Sequence, residues 1–129
     1  MPYYLFQASY TPEALASLIK KPQDRRAVVT AAVEKIGGKV EGAWLAFGES
    51  DVVLICQLPD NTSAAAFALT VGAGGALKST KTTPLFSFEE GQAAMKKAAQ
   101  SGYRPPGESD AVRRKSGWSS IPTRRRDRT

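Results

Sequence analysis

The stretch Ala43-Trp44-Leu45-Ala46-Phe47-Gly48-Glu49-Ser50-Asp51-Val52-Val53-Leu54-Ile55-Cys56-Gln57-Leu58 decides the fold. An apolar segment runs into the turn Gly48-Glu49-Ser50-Asp51 and out again through five consecutive apolar residues, which reads as a β-hairpin. Successive side chains of a strand point to opposite sides of the sheet, so a strand with one wet face alternates. Val52 to Cys56 does not alternate, and each side therefore needs a cover. The chain's own helices supply one; a second copy of the chain is expected to supply the other, with Val52 and Val53 as candidates for the dimer face. Gly48 is expected to give the turn a positive φ.

The flanking segments extend this into a domain. Tyr3 to Ser9 reads as a first strand. Thr11-Pro12-Glu13 carries a helix start, with Thr11 as N-cap and Pro12 at the first helical position, where a missing N–H costs nothing. That helix runs to about Lys20 and stops before Pro22. A second helical piece places Ala27, Val28, Ala31, Ala32 and Ile36 on one apolar stripe, and Gly37-Gly38 ends it. Strand two is expected over about 39–47 and strand three over about 51–58. Asp60 or Asn61 can cap an alanine-rich helix to about Val71, which Gly72, Gly74 and Gly75 break. A fourth strand over 77–88 contains Pro84, confined to an edge or a bulge, and Glu89-Glu90 opens a last helix with Lys96-Lys97 nearer its C-terminal end. Strand, helix, strand, strand, helix, strand is the split βαβ arrangement: an α+β, ferredoxin-like βαββαβ fold with a four-stranded antiparallel sheet and helices on one face. Its other face, bearing Tyr, Trp and Val, would be a liability if left bare.

Composition bounds the chemistry. With 129 residues, 42% of them hydrophobic, there is enough material for one core. The domain is expected over 1–100, followed by a basic Pro/Arg-rich tail over 101–129. A single cysteine, Cys56, permits no intrachain disulfide and fits a reducing cytoplasm. Histidine is absent, which removes the commonest general base, the commonest metal ligand and the usual partner of a Ser or Cys nucleophile. No metal, cofactor or catalytic residue is expected. Gly72-Ala73-Gly74-Gly75 follows a helix instead of opening one and lacks the Lys-Ser/Thr of a phosphate loop. Strand three carries no aromatic, so the sheet offers no base-stacking platform of the RNA-recognition kind.

At this level of detail the chain resembles the GYD domain family of small bacterial proteins, themselves similar to the dimeric α+β barrel group. The resemblance rests on Tyr3 to Tyr10, Gly37-Gly38-Lys39, Trp44 to Val53, Pro59-Asp60 and Lys81-Thr82-Thr83-Pro84-Leu85-Phe86, and covers about residues 1–95. Members typically carry tyrosine just before the aspartate; here that position is Ser50. The resemblance implies a homodimer, or a larger homo-oligomer, formed by pairing open sheet faces. It also suggests a cavity between sheet and helices for a small ligand, with Tyr10, Trp44 and Asp51 as candidate pocket residues. Asp51 otherwise reads as a turn residue whose carboxylate accepts from nearby backbone N–H groups.

Three functions follow as expectations. The first is a small homo-oligomeric ligand-binding or assembly domain without catalysis. The second is a cofactor-independent oxygenase or isomerase of the dimeric barrel kind, relying on Tyr, Asp or Arg25 and Arg26 to handle protons. The third lies in the tail: residues 101–129 hold eight Lys/Arg against three Asp/Glu, while the rest of the chain is nearly neutral. Arg113, Arg114, Lys115, Arg124, Arg125, Arg126 and Arg128 could contact a polyanion. Alternatively, Tyr103, Trp118 and Ile121 could anchor the tail across a neighbouring subunit.

Overall fold

A computed structural model of the chain describes residues 1–107. These divide into a compact unit, Met1–Ser87, and a second beginning at Phe88.

The first unit runs β1 (Tyr3–Tyr10), α1 (Pro12–Lys20), α2 (Arg26–Lys35), β2 (Lys39–Leu45), β3 (Val52–Gln57), α3 (Asn61–Ala73) and β4 (Leu77–Leu85). The strands form one sheet in the order β2-β3-β1-β4, every neighbouring pair antiparallel. This is the ferredoxin-like α+β arrangement, with its first helical connection split in two at Pro22. The second unit contains α4 (Phe88–Ala99), with Glu89 and Glu90 in its first turn and Lys96 and Lys97 in its last.

The helix starts follow the local chemistry. Thr11 accepts a hydrogen bond from the Ala14 N–H at 3.1 Å ahead of Pro12. Asp60 caps α3 by accepting from the Ser63 N–H at 2.8 Å, and this bond holds its carboxyl below the usual carboxylate range. Gly37 takes φ +92 at the end of α2, a conformation that L side chains rarely adopt. Gly38 has a different reason to be glycine. A Cβ there would lie 2.5 Å from the Gln57 carbonyl oxygen, 2.5 Å from Leu58 Cδ2 and 2.9 Å from Val33 Cγ1, so the bare backbone is what lets α2 turn tightly into β2.

The core lies between the sheet and helices α2 and α3. Tyr4 and Phe6 of β1, Leu54 and Cys56 of β3, and Leu58 just beyond it meet Val33 of α2 and Ala64 and Phe67 of α3. Phe6 and Phe67 pack edge to face with ring centroids 4.9 Å apart, an arrangement that adds to the stabilisation from burial alone. The Tyr4 ring is sealed, and its hydroxyl escapes desolvation by donating to Asn61 Oδ1 at 2.7 Å. Cys56 is fully buried, and desolvation pushes its thiol up to about 11, so it is a packing residue and not a nucleophile.

Several expectations are corrected. Gly48 does not have positive φ. Instead of a tight tetrapeptide, the β2–β3 connection is a six-residue loop, 46–51, closed by the Ala46 N–H donating to the Asp51 carbonyl at 2.8 Å. Strand two therefore ends at Leu45, and strand four ends at Leu85, with helix resuming at Phe88. The inward face of α2 is Val29, Ala32, Val33 and Ile36, while Ala27, Val28 and Ala31 are exposed. Both sets obey helical spacing, and the sheet selects the bulkier one. Pro84 sits on the outer strand β4, opposite Tyr4. A bulge interrupts β2 between Val40 and Gly42.

The two faces of β3 differ in exposure although both are apolar. Leu54 and Cys56 face the helices and are buried, whereas Val53 and Ile55, on the opposite face, are half-buried. By register Val53 sits beside Gln7 and Trp44, and Ile55 beside Leu5. Val52 belongs to the helix side, so of the two candidate dimer-face residues only Val53 lies on the open face.

Candidate functional site

An open cleft of about 860 Å³ lies where the α1–α2 connection passes the ends of β1, β2 and β3. Its walls include Leu18 of α1, Val29 of α2, Ala43 and Leu45 of β2, Val52 of β3, and the Tyr10 side chain at the end of β1. Its rim is polar and comes from one segment, Gln23-Asp24-Arg25-Arg26. Pro22 stops α1, and the few residues before α2 lay this segment along the mouth.

The two arginines differ. Arg26 is held by Asp24, through an Nη2–Oδ2 contact of 2.6 Å and an Nε–Oδ2 contact of 2.9 Å, and Asp24 also accepts the Arg26 backbone N–H at 2.9 Å. These bonds lower the Asp24 carboxyl to about 2, so it is a permanent anion and a poor base. Among the described residues Arg25 meets only the carboxamide oxygen of Gln23, 3.3 Å from its Nη1. Among the described residues no carboxylate pairs with it.

Of the three candidate pocket residues, Tyr10 and Trp44 line the cleft and Asp51 does not. The Asp51 Oδ2 accepts the Tyr10 backbone N–H at 2.9 Å, its own N–H donates to the Ala8 carbonyl at 2.8 Å, and its carbonyl accepts from Ala46. The last β1–β3 ladder pair is Ala8 with Val52, so the carboxylate satisfies a donor that the ladder no longer reaches. Ser9 adds a bond to the Glu49 carbonyl at 3.1 Å. Asp51 thereby fixes the loop to β1 and sets the backbone of Tyr10, acting on the cleft from behind. Trp44 is exposed and folds back along its strand; a Cβ at Gly42 would lie 2.5 Å from Trp44 Cη2.

Sequence reasoning placed Arg25 and Arg26 only as possible proton handlers and missed Gln23 and Asp24. The available signal was the cluster Lys20-Lys21-Pro22-Gln23-Asp24-Arg25-Arg26, a polar break between two helices. Among the described residues no group of His, Cys, Asp and Glu could hold a metal ion, and no helix is long and apolar enough to cross a membrane. Tyr103 is exposed in the second unit, its N–H donating to Ser101 Oγ at 3.2 Å. Trp118, Ile121 and the basic candidates Arg113, Arg114, Lys115, Arg124, Arg125, Arg126 and Arg128 lie outside the described residues.

Comparison with curated proteins gives no match. Among solved structures, the crystal structure of an uncharacterized NIPSNAP domain protein from Burkholderia xenovorans is similar, with a TM-score of 0.41 and 15% identity, covering 67% of this chain and 94% of that one. The family model for the GYD domain matches residues 4–95, from the buried Tyr4 to the middle of α4, and so takes in every strand of the sheet and the whole lining of the cleft. The chain belongs to the GYD domain family.

Proposed function

We propose that this chain is a homo-oligomeric binding domain that holds a small molecule in the cleft beneath the α1–α2 connection and performs no catalysis on it. The cleft carries this reading: its volume is within the range of small-molecule sites, and apolar walls with a few convergent polar groups are what such sites require. The reading without catalysis is supported by the state of the two nearby carboxylates. Asp24 is committed to Arg26, and Asp51 to the Tyr10 backbone. Each already has a partner within the chain, and Asp51 does not line the cleft.

The oligomer is a second copy laid on the open sheet face. Leu5, Val53 and Ile55 stand there half-buried, with Tyr3, Trp44 and Leu85 exposed around them. A patch of this kind on so small a domain favours a partner. Titrating small amphiphiles into the isotopically labelled protein tests the binding reading, which expects amide shifts concentrated at Leu18, Val29, Ala43 and Val52. Shifts confined to other regions, or none, would refute it. Light scattering tests the assembly, with Val53→Glu expected to halve the mass of a dimer while leaving the far-ultraviolet circular dichroism unchanged. A wild-type monomer at micromolar concentration would refute it.

A further inference from the structure

We infer that the cleft selects a monoanionic amphiphile, a carboxylate with an apolar body, and that Arg25 is the residue that reads the charge. The inference rests on the binding reading above and adds the chemical class of the ligand.

Charge at the rim is one-sided. Among the lining residues Arg25 and Arg26 face only Asp24, and Asp24 is already spent on Arg26. That leaves Arg25, whose guanidinium offers five N–H donors in a rigid fork and uses one of them on Gln23. One planar, singly charged fork matches one carboxylate, accepted through two parallel bonds. A dianionic headgroup would need a second uncommitted cation among the lining residues, and the only other one there is Arg26. Below the rim the chemistry reverses. Leu18, Val29, Ala43, Leu45 and Val52 offer a ligand nothing to hydrogen-bond with their side chains, so the body of the ligand must be apolar. The Tyr10 phenol makes no hydrogen bond to another described residue and lies among these walls, able to meet an aromatic or aliphatic body.

Arg25 lies at the surface, so water screens its pull and the discrimination it gives is moderate. The test uses isothermal titration of the full chain with octanoate and with 1-octanol, which share a body and differ in headgroup charge. Octanoate is expected to bind about tenfold more tightly than 1-octanol. Arg25→Gln is expected to weaken octanoate about tenfold and so bring it level with 1-octanol, whose headgroup makes no charge-assisted pair with the guanidinium. Equal affinities in the wild type, or a preference that survives Arg25→Gln, would overturn the assignment of charge and of Arg25 while leaving the cleft as a binding site. Failure of both probes to bind at millimolar concentration would overturn the binding reading itself, and the ligand class with it.

Discussion

Replacing Gly38 with alanine should be among the most damaging single-methyl changes available to this chain. The added carbon would sit 2.5 Å from the Gln57 carbonyl oxygen and 2.5 Å from Leu58 Cδ2, with Val33 Cγ1 at 2.9 Å. Carbon atoms pack at about 3.5–4.0 Å, so relief requires a shift of about 1 Å. No side-chain rotation supplies it, because the first contact is backbone and Leu58 and Val33 are both fully buried. Overpacking of this kind costs about 1–3 kcal/mol. In urea, where small domains lose about 1–3 kcal/mol of stability per molar, the midpoint should fall by about 1 M. The neighbouring glycine gives an internal control. A Cβ at Gly37 meets only Pro59 Cγ at 3.4 Å, an ordinary contact, but its φ of +92 is unfavourable to alanine. Asparagine tolerates such a backbone better than alanine does, so Gly37→Asn should be milder than Gly37→Ala. At position 38 the order should invert, Asn being worse than Ala because it is larger. An unchanged midpoint for Gly38→Ala, or the same Asn-over-Ala order at both positions, would refute the steric account.

Tyr4→Phe removes the hydroxyl bonded to Asn61 and should lower stability by about 1 kcal/mol in chemical denaturation, since the amide left behind is exposed and can bind water; no loss would mean that the bond is not formed. The Cys56 thiol stays protonated in the fold up to about 11, while in the unfolded chain it ionises near 8.5, so its contribution is complete below about pH 8.5 and fades as pH rises towards the folded value. Cys56→Ala should therefore flatten the alkaline decline measured by urea midpoints between about pH 8.5 and 11, and identical slopes would contradict the burial of the thiol. Gly42→Val should displace the Trp44 ring from the strand, which a change in indole NMR shifts against an unchanged core would report.

Much of the fold was legible because its punctuation is chemical. Thr11-Pro12, Pro22, Gly37 and Asp60 each act through a local rule that needs no knowledge of the tertiary structure, and each acts as that rule states; Gly38 is glycine for a tertiary reason, the close approach of Gln57, Leu58 and Val33. The inward face of α2 was legible only in part: Ala32 and Ile36 pack inward as read, but Ala27, Val28 and Ala31 repeat at the same period as Val29 and Val33. Only the sheet, through Tyr4, Leu54 and Leu58, decides between the stripes. Gly48 misled for the opposite reason: glycine is compatible with positive φ but does not demand it. Tyr10 and Trp44 could be nominated as aromatics with polar handles. The cleft itself could not, since its rim comes from a helix linker and its walls from strands distant in the chain.

The sheet's two outer strands bear on whether further strands could be added to its edges. A bare strand edge can recruit another strand and then another, without end. Here β2 is broken by its bulge at Glu41, and β4 presents Pro84, which has no N–H to offer, together with Lys78 and Lys81. Edge-to-edge growth is discouraged at both borders of the sheet. Open-ended addition of strand upon strand, the route to fibres, therefore meets an obstacle at either end of the sheet.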